Sequence, residues 1–152
     1  MDKRKVIEGI NRFLDDFLPN TPFHKYYCEN EDIYINYYFI YDENLGANMY
    51  IEFKDAIICF YFVKLKNEKP YTDGYYSNQE IGKIRIFFQA VLRALNIQYN
   101  IKKSKELMKF KYTEENLIQK VKDNFNFYSS IFNNENSIVI KLYDPVIWDC
   151  EG

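Results

Sequence analysis

Residues 32–42 read DIYINYYFIYD, and every second position, Ile33, Ile35, Tyr37, Phe39 and Tyr41, carries a side chain suited to burial. Two-residue periodicity in β-branched and aromatic residues marks a strand with one face turned inward. Further along, Glu43-Asn44-Leu45-Gly46 supplies turn chemistry, and ANMYIEF at 47–53 resumes the alternation with Ala47, Met49, Ile51 and Phe53 on one side. After Lys54-Asp55, AIICFYFVKL at 56–65 is apolar on both faces, as a centrally placed strand should be. The three segments predict an antiparallel meander. With tight turns between them, Tyr41 is expected opposite Ala47, Tyr37 opposite Ile51, and Ile51 opposite Ile58.

The flanks change period. Val6, Ile7, Ile10, Phe13, Leu14, Phe17 and Leu18 recur at three- and four-residue spacing, predicting a first helix that Pro19 and Pro22 end. Ser77 and Glu80, at capping-box spacing ahead of Ile81, Ile84, Phe88, Val91, Leu92 and Leu95, predict a second. Residues 97–112 fit either a strand or a short lysine-rich helix. Glu114 and Glu115 precede Leu117, Val121, Phe125, Tyr128 and Phe132, a third helix with acids at its positive end. Ile138, Ile140 and Leu142 alternate as a last strand before Asp144-Pro145, and Trp148 is expected to pack back on the domain. The expected class is α+β: an N-terminal helix, a three-stranded antiparallel meander, two further helices and a C-terminal strand, helices on the sheet, with residues 1–152 as one domain.

Fifteen tyrosines and 13 phenylalanines in 152 residues mean that rings supply much of the buried area. A net charge of −2 exerts no global pull toward nucleic acid or an anionic membrane, so neither is an expected partner. Cys28, Cys59 and Cys150 form no C-x-x-C pair, which favours reduced thiols over disulfides or zinc and suits the cytoplasm. The charged start leads into an amphipathic segment, and the longest apolar run, Ala56 to Val63, is too short to span a bilayer.

Charge is uneven along the chain. Seven acids (Glu29, Glu31, Asp32, Asp42, Glu43, Glu52 and Asp55) stand against Lys54, a local balance of −6. Lys102, Lys103, Lys105, Lys109 and Lys111 stand against Glu106, a balance of +4. The second face of the meander carries Tyr34, Asn36, Tyr38 and Ile40, then Asn48, Tyr50 and Glu52, then Ile57, Cys59, Tyr61 and Val63. Such a face is either covered by the third helix or the tail, or open for recognition. In the open case Tyr34, Asn36, Tyr38, Tyr50, Glu52 and Tyr61, with Asp42 and Glu43 nearby, would hold a basic protein. This is the profile of a non-enzymatic binding module, such as a cytosolic inhibitor or a toxin-neutralising immunity-type protein, needing no cofactor or metal.

Catalytic constellations are few. His24 stands four residues before Cys28 with no third orienting group. Asp32 opens one strand and Glu52-Phe53-Lys54 closes its neighbour, so two carboxylates and a lysine should meet at one sheet edge. That trio resembles the D…E-x-K signature of the PD-(D/E)XK nuclease superfamily, and the resemblance implies Mg²⁺-dependent phosphodiester cleavage by Asp32, Glu52 and Lys54 as the alternative function. The lysine cluster, with Tyr99, Phe110 and Tyr112 interleaved, is expected to be a solvated connector rather than a single-strand track. No phosphate-binding glycine loop, H-E-x-x-H or G-x-S-x-G pattern occurs.

Overall fold

The stripe Val6, Ile10 and Leu14 winds into helix α1 (Lys3–Phe17), whose first turn is capped by the Asp2 carboxylate accepting from the Arg4 N–H at 3.0 Å. A 3-10 turn at Leu18–Asn20, begun by the helix-breaking Pro19, redirects the chain. This is a computed structural model, and it describes residues 1–71, 77–78, 82–133 and 138–149.

The meander is present as β2 (Tyr34–Asp42), β3 (Leu45–Glu52) and β4 (Ile57–Lys66). An additional strand, β1 (Lys25–Asn30), pairs antiparallel with β2 and forms one sheet edge. All six of its positions are half-buried or exposed, so KYYCEN carries no sharp apolar alternation by which to find it. After β4, a tight turn through Asn67 and Glu68, both at positive φ, leads to β5 (Lys69–Pro70).

The register of β2 against β3 differs by two residues from expectation. Tyr37 lies opposite Met49, Ile35 opposite Ile51 and Phe39 opposite Ala47, because the ladder shifts between Ile40 and Asp42 and leaves Tyr41 as the extra residue. A slip of two keeps every side chain on its intended face. Ile51 does face Ile58. At the shift, Gly46 allows close approach: a Cβ there would stand 2.4 Å from the Phe39 carbonyl oxygen.

Two expected elements are corrected. Ser77–Asn78 and Gly82–Lys83 are short paired strands (β6 and β7), and Arg85–Phe87 is a strand (β8) along Val63–Tyr61 of β4; the helix α2 covers only Phe88–Ala94. Glu80 and Ile81 of the expected capping box lie outside the described residues. Here Ile84, Ile86 and Phe88 are buried while Phe87 is exposed, a two-residue period that outcompetes the helical one. The C-terminal strand is instead a 3-10 helix, Ile138–Tyr143: Ile138, Val139 and Leu142 are buried and Ile140 is 59% exposed, the pattern of one helical face.

The ambiguous segment resolves into α3 (Ile101–Leu107), capped by Asn100, and Lys109 then bridges to Ile57 beside the start of β4. Helix α4 (Glu114–Phe127), capped by Thr113, is followed by α5 (Ser129–Phe132) and, after the 3-10 segment, α6 (Pro145–Trp148). Trp148 does pack back, its indole N–H donating to the Leu142 carbonyl at 2.7 Å.

Helices α1 and α4 lie on the face bearing Ile35, Phe39, Met49, Ile51, Ile58 and Phe60. Phe125 of α4 is the hub: its ring meets Phe13, Phe17, Phe39 and Phe60 edge-on at 5.3–5.6 Å and Phe132 at 4.5 Å. Among the described residues no helix is long and apolar enough to cross a membrane.

Candidate tyrosine pocket on the second sheet face

Cross-strand pairing writes the second face as rows. One runs Tyr27, Tyr38, Asn48, Tyr61, Phe87 from β1 to β8; the next runs Glu29, Asn36, Tyr50, Cys59; Tyr34 and Glu52 close the end. The period of two places Tyr and Asn here while Phe, Ile and Met point to the helices.

Neither α4 nor the described part of the C-terminal tail, residues 138–149, covers this face, since both pack on the other. The face is nevertheless divided. At the end nearest the β2–β3 turn, Tyr38, Ile40, Val63 and Leu65 form a small second core against Tyr27. The chain beyond β4 clamps that core: the Tyr27 hydroxyl donates to the Glu68 carbonyl at 3.0 Å, and the Lys69 ammonium sits 4.8 Å from the Tyr27 ring centroid. Toward the other end the face opens into a pocket of about 440 Å³. Its floor is Tyr34, Asn36, Tyr38, Asn48 and Tyr50; Glu29 of β1 stands on one side, and Pro70, Tyr71, Ile84 and Arg85 form the opposite wall.

The polar atoms of the floor are ordered. The Asn48 side-chain amide, 3% exposed, donates to Asn36 Oδ1 at 2.9 Å and to the Tyr37 backbone carbonyl at 3.1 Å. The Tyr34 and Tyr50 rings pair at 5.5 Å, and those of Tyr27 and Tyr38 stack at 5.2 Å. The Arg85 guanidinium lies 4.3 Å from the Tyr61 ring centroid. Burial pushes the Tyr38 phenol well above its ordinary value, with neighbouring Glu29 adding to the effect and Arg85 partly opposing it, so this hydroxyl remains a donor at neutral pH. Burial likewise raises the Cys59 thiol, which keeps it in its unreactive form.

Of the eight residues proposed for partner binding, four (Tyr34, Asn36, Tyr38 and Tyr50) come together in the pocket lining. Tyr61 is 7% exposed beneath Arg85 and Phe87 rather than on the floor. Asp42 and Glu43 lie at the far end of β2, about 26 Å along the strand from Tyr34, where Asp42 Oδ1 accepts from the Asn44 N–H and the Glu43 carbonyl from the Glu68 N–H. The acids that cluster in sequence are thus split between the two ends of the sheet. Sequence reasoning missed Glu29 and Arg85 as pocket residues: the one belongs to the unrecognised β1, the other to the strand taken for a helix.

Glu52, Asp32 and Lys54 do share one end of the sheet, where the Phe53 N–H donates to the Ile33 carbonyl. Both oxygens of Glu52 are engaged by its own turn, Oε1 accepting from the Lys54 N–H at 3.0 Å and Oε2 from the Asp55 N–H at 2.8 Å. Lys3 reaches the same corner, donating to the Glu31 carbonyl and lying 5.4 Å from the Phe53 ring centroid. His24 precedes β1 and Cys28 lies within it, so extended chain holds them about 13 Å apart along the strand direction, too far for proton transfer. Cys28 and Cys59 are free thiols, and Cys150 lies outside the described residues.

The five lysines of the basic segment are exposed, on the outer side of α3 and just beyond it, while Ser104 and Leu107 turn inward. Met108 to Phe110 runs beside Ala56 to Ile58, which brings this basic segment against the turn that carries Glu52 and Asp55. A smaller cleft of about 200 Å³ opens here between Phe87, Arg93, Tyr99 and Ile101. Comparison with protein-family models, with curated proteins and with solved structures yields no match.

Proposed function

We propose that the chain is a non-enzymatic protein-binding module whose site is the tyrosine-lined pocket on the sheet face opposite the described helices. The observation carrying this reading is the pocket itself: among the described residues its lining holds aromatic rings with hydroxyl tips, the two asparagines Asn36 and Asn48, and Glu29 and Arg85 as charges of opposite sign, on a β scaffold and turned away from the core. Tyrosine suits such a surface because it offers a large apolar body that tolerates water at its tip. Glu29 in the pocket, with Glu31, Asp32, Glu52 and Asp55 at the same end of the sheet, would draw in a basic partner. A cytoplasmic inhibitor, or an immunity-type protein that neutralises a toxin, is the functional class that uses such a surface.

The phosphodiester-cleaving alternative stands second because Glu52, its central carboxylate, already caps a turn with both oxygens. Affinity capture separates the two. The wild-type chain should retain a specific protein that the Tyr34→Ala/Tyr50→Ala double variant does not, both proteins melting within a few degrees of each other. Equal capture by both would sink the pocket reading. Mg²⁺-dependent cleavage of DNA or RNA, lost in Glu52→Ala, would replace it with the nuclease.

A further inference from the structure

The chemistry of the pocket floor is more selective than its aromatic walls. The Tyr37 backbone carbonyl can only accept, so the Asn48 atom 3.1 Å from it is the amide nitrogen. The second N–H of that nitrogen points to Asn36, which must therefore present its oxygen to it, at 2.9 Å. One backbone carbonyl thus orients two side chains in sequence. What remains is one donor, the Asn36 amide nitrogen, and one acceptor, Asn48 Oδ1, neither with a partner among the described residues. Both residues line the pocket.

A donor on β2 and an acceptor on the neighbouring β3, both in the lining of one pocket, select a complement that offers both. Lysine and arginine side chains only donate and would leave the Asn36 nitrogen unmatched; a carboxylate only accepts and would leave Asn48 Oδ1 unmatched. A trans backbone amide directs its N–H and C=O to opposite sides and cannot offer both along one edge. A primary carboxamide carries its C=O and a syn N–H on the same edge. We propose that the pocket recognises a glutamine or asparagine side chain of the partner protein, its oxygen accepting from Asn36 Nδ2 and its nitrogen donating to Asn48 Oδ1. The Tyr34 and Tyr50 rings, paired with each other at 5.5 Å, line the same pocket and offer the amide an apolar surface, and the acidic surroundings act on the partner's basic residues around it. This inference rests on the protein-binding reading of the same pocket.

The test uses the full chain, ¹⁵N-labelled, titrated separately with the N-acetyl, N-methylamide derivatives of glutamine, glutamate and methionine, and with adenosine monophosphate. The side-chain amide resonances of Asn36 and Asn48 should move saturably with the glutamine probe, at a Kd in the millimolar range, and not with its glutamate or methionine counterparts. Asn36→Asp keeps an acceptor for the Asn48 amide but removes the donor, and should weaken the glutamine response about tenfold. Equal movement with all three amino-acid probes would mean backbone recognition, and tighter binding of the nucleotide would mean a base-binding site; either overturns the proposal, as does silence from every probe. The probe comparison on the wild-type chain stands whether or not the variant folds. A partner captured equally well by wild type and Asn36→Asp overturns this inference alone, whereas specific glutamine binding with no protein ever captured overturns the protein-partner reading and leaves a carboxamide site.

Discussion

The two faces of the sheet come from the same strands and are built on opposite terms. Toward the helices, Phe39, Phe60 and Phe62 have no polar tips and are fully or almost fully buried against rings from α2, α4 and α5. Tyr37, the tyrosine that β2 buries fully on that side, satisfies its hydroxyl by donating to Asn11 Oδ1 at 2.8 Å. On the other face tyrosines and asparagines predominate, and the Asn36 amide nitrogen and Asn48 Oδ1 have no partner among the described residues. The comparison teaches that tyrosine excess has no single meaning. A buried phenol needs a partner inside the chain, while one on an open face can wait for a partner outside it.

The largest test of the contrast is alkaline pH, because buried phenols occur on both faces. Tyr37 on the helix side and Tyr38 on the other are pushed far above the ordinary value, in each case chiefly by burial, and Tyr27 is pushed up to about 12 from 10.0. A folded-state value above the unfolded one means that the unfolded chain holds fewer protons as pH rises. Stability is therefore complete below about pH 10 and is lost as pH climbs toward 12. Unfolding followed by circular dichroism should then coincide with the last part of the near-ultraviolet phenolate rise, the part that belongs to the buried rings; that part finishing well before unfolding would show that these rings are accessible.

Phe125→Ala should come next, costing about 3–5 kcal/mol in denaturant unfolding, since it removes the hub of the helix-side face. Gly46→Ala attacks the pairing of β3, with a Cβ placed against the Phe39 carbonyl and 3.0 Å from Leu65 Cδ1; about 1–3 kcal/mol is expected from the same measurement. Glu52→Ala removes the acceptor of two turn amides and should cost about 1 kcal/mol, weakening partner capture less than the Tyr34→Ala/Tyr50→Ala pair does. The smallest effect on stability belongs to Tyr34→Ala and Tyr50→Ala, within about 1 kcal/mol each because both rings are half-buried. These two should have the largest effect on binding. If they cost as much as Phe125→Ala, the two faces are not different in kind.

Much of the architecture was legible in the chain. Periods of two and of 3.6 located the three meander strands, α1 and α4, and the alternation sorted phenylalanine from tyrosine with the right residues on each face. The two-residue error in register did no harm to that assignment, for the parity reason already given. The failures share a cause. In β1 no face is fully buried, in β8 only three residues make the strand, and in Ile138–Tyr143 the segment is short enough to fit either period; in each, partners distant in sequence supply the deciding energy.

The candidate site divides along the same line. Sequence by itself determined which side chains β2 and β3 send to the second face, because pleating is a local property of extended chain. It brought Tyr34, Asn36, Tyr38 and Tyr50 together before any fold was known. Only the tertiary structure decided that the described helices pack on the opposite face, that the acids separate to opposite ends of the sheet, and that Glu29 and Arg85 stand at the pocket's rim. Those outcomes depend on which surfaces of distant elements bury most together, and no local period records that choice.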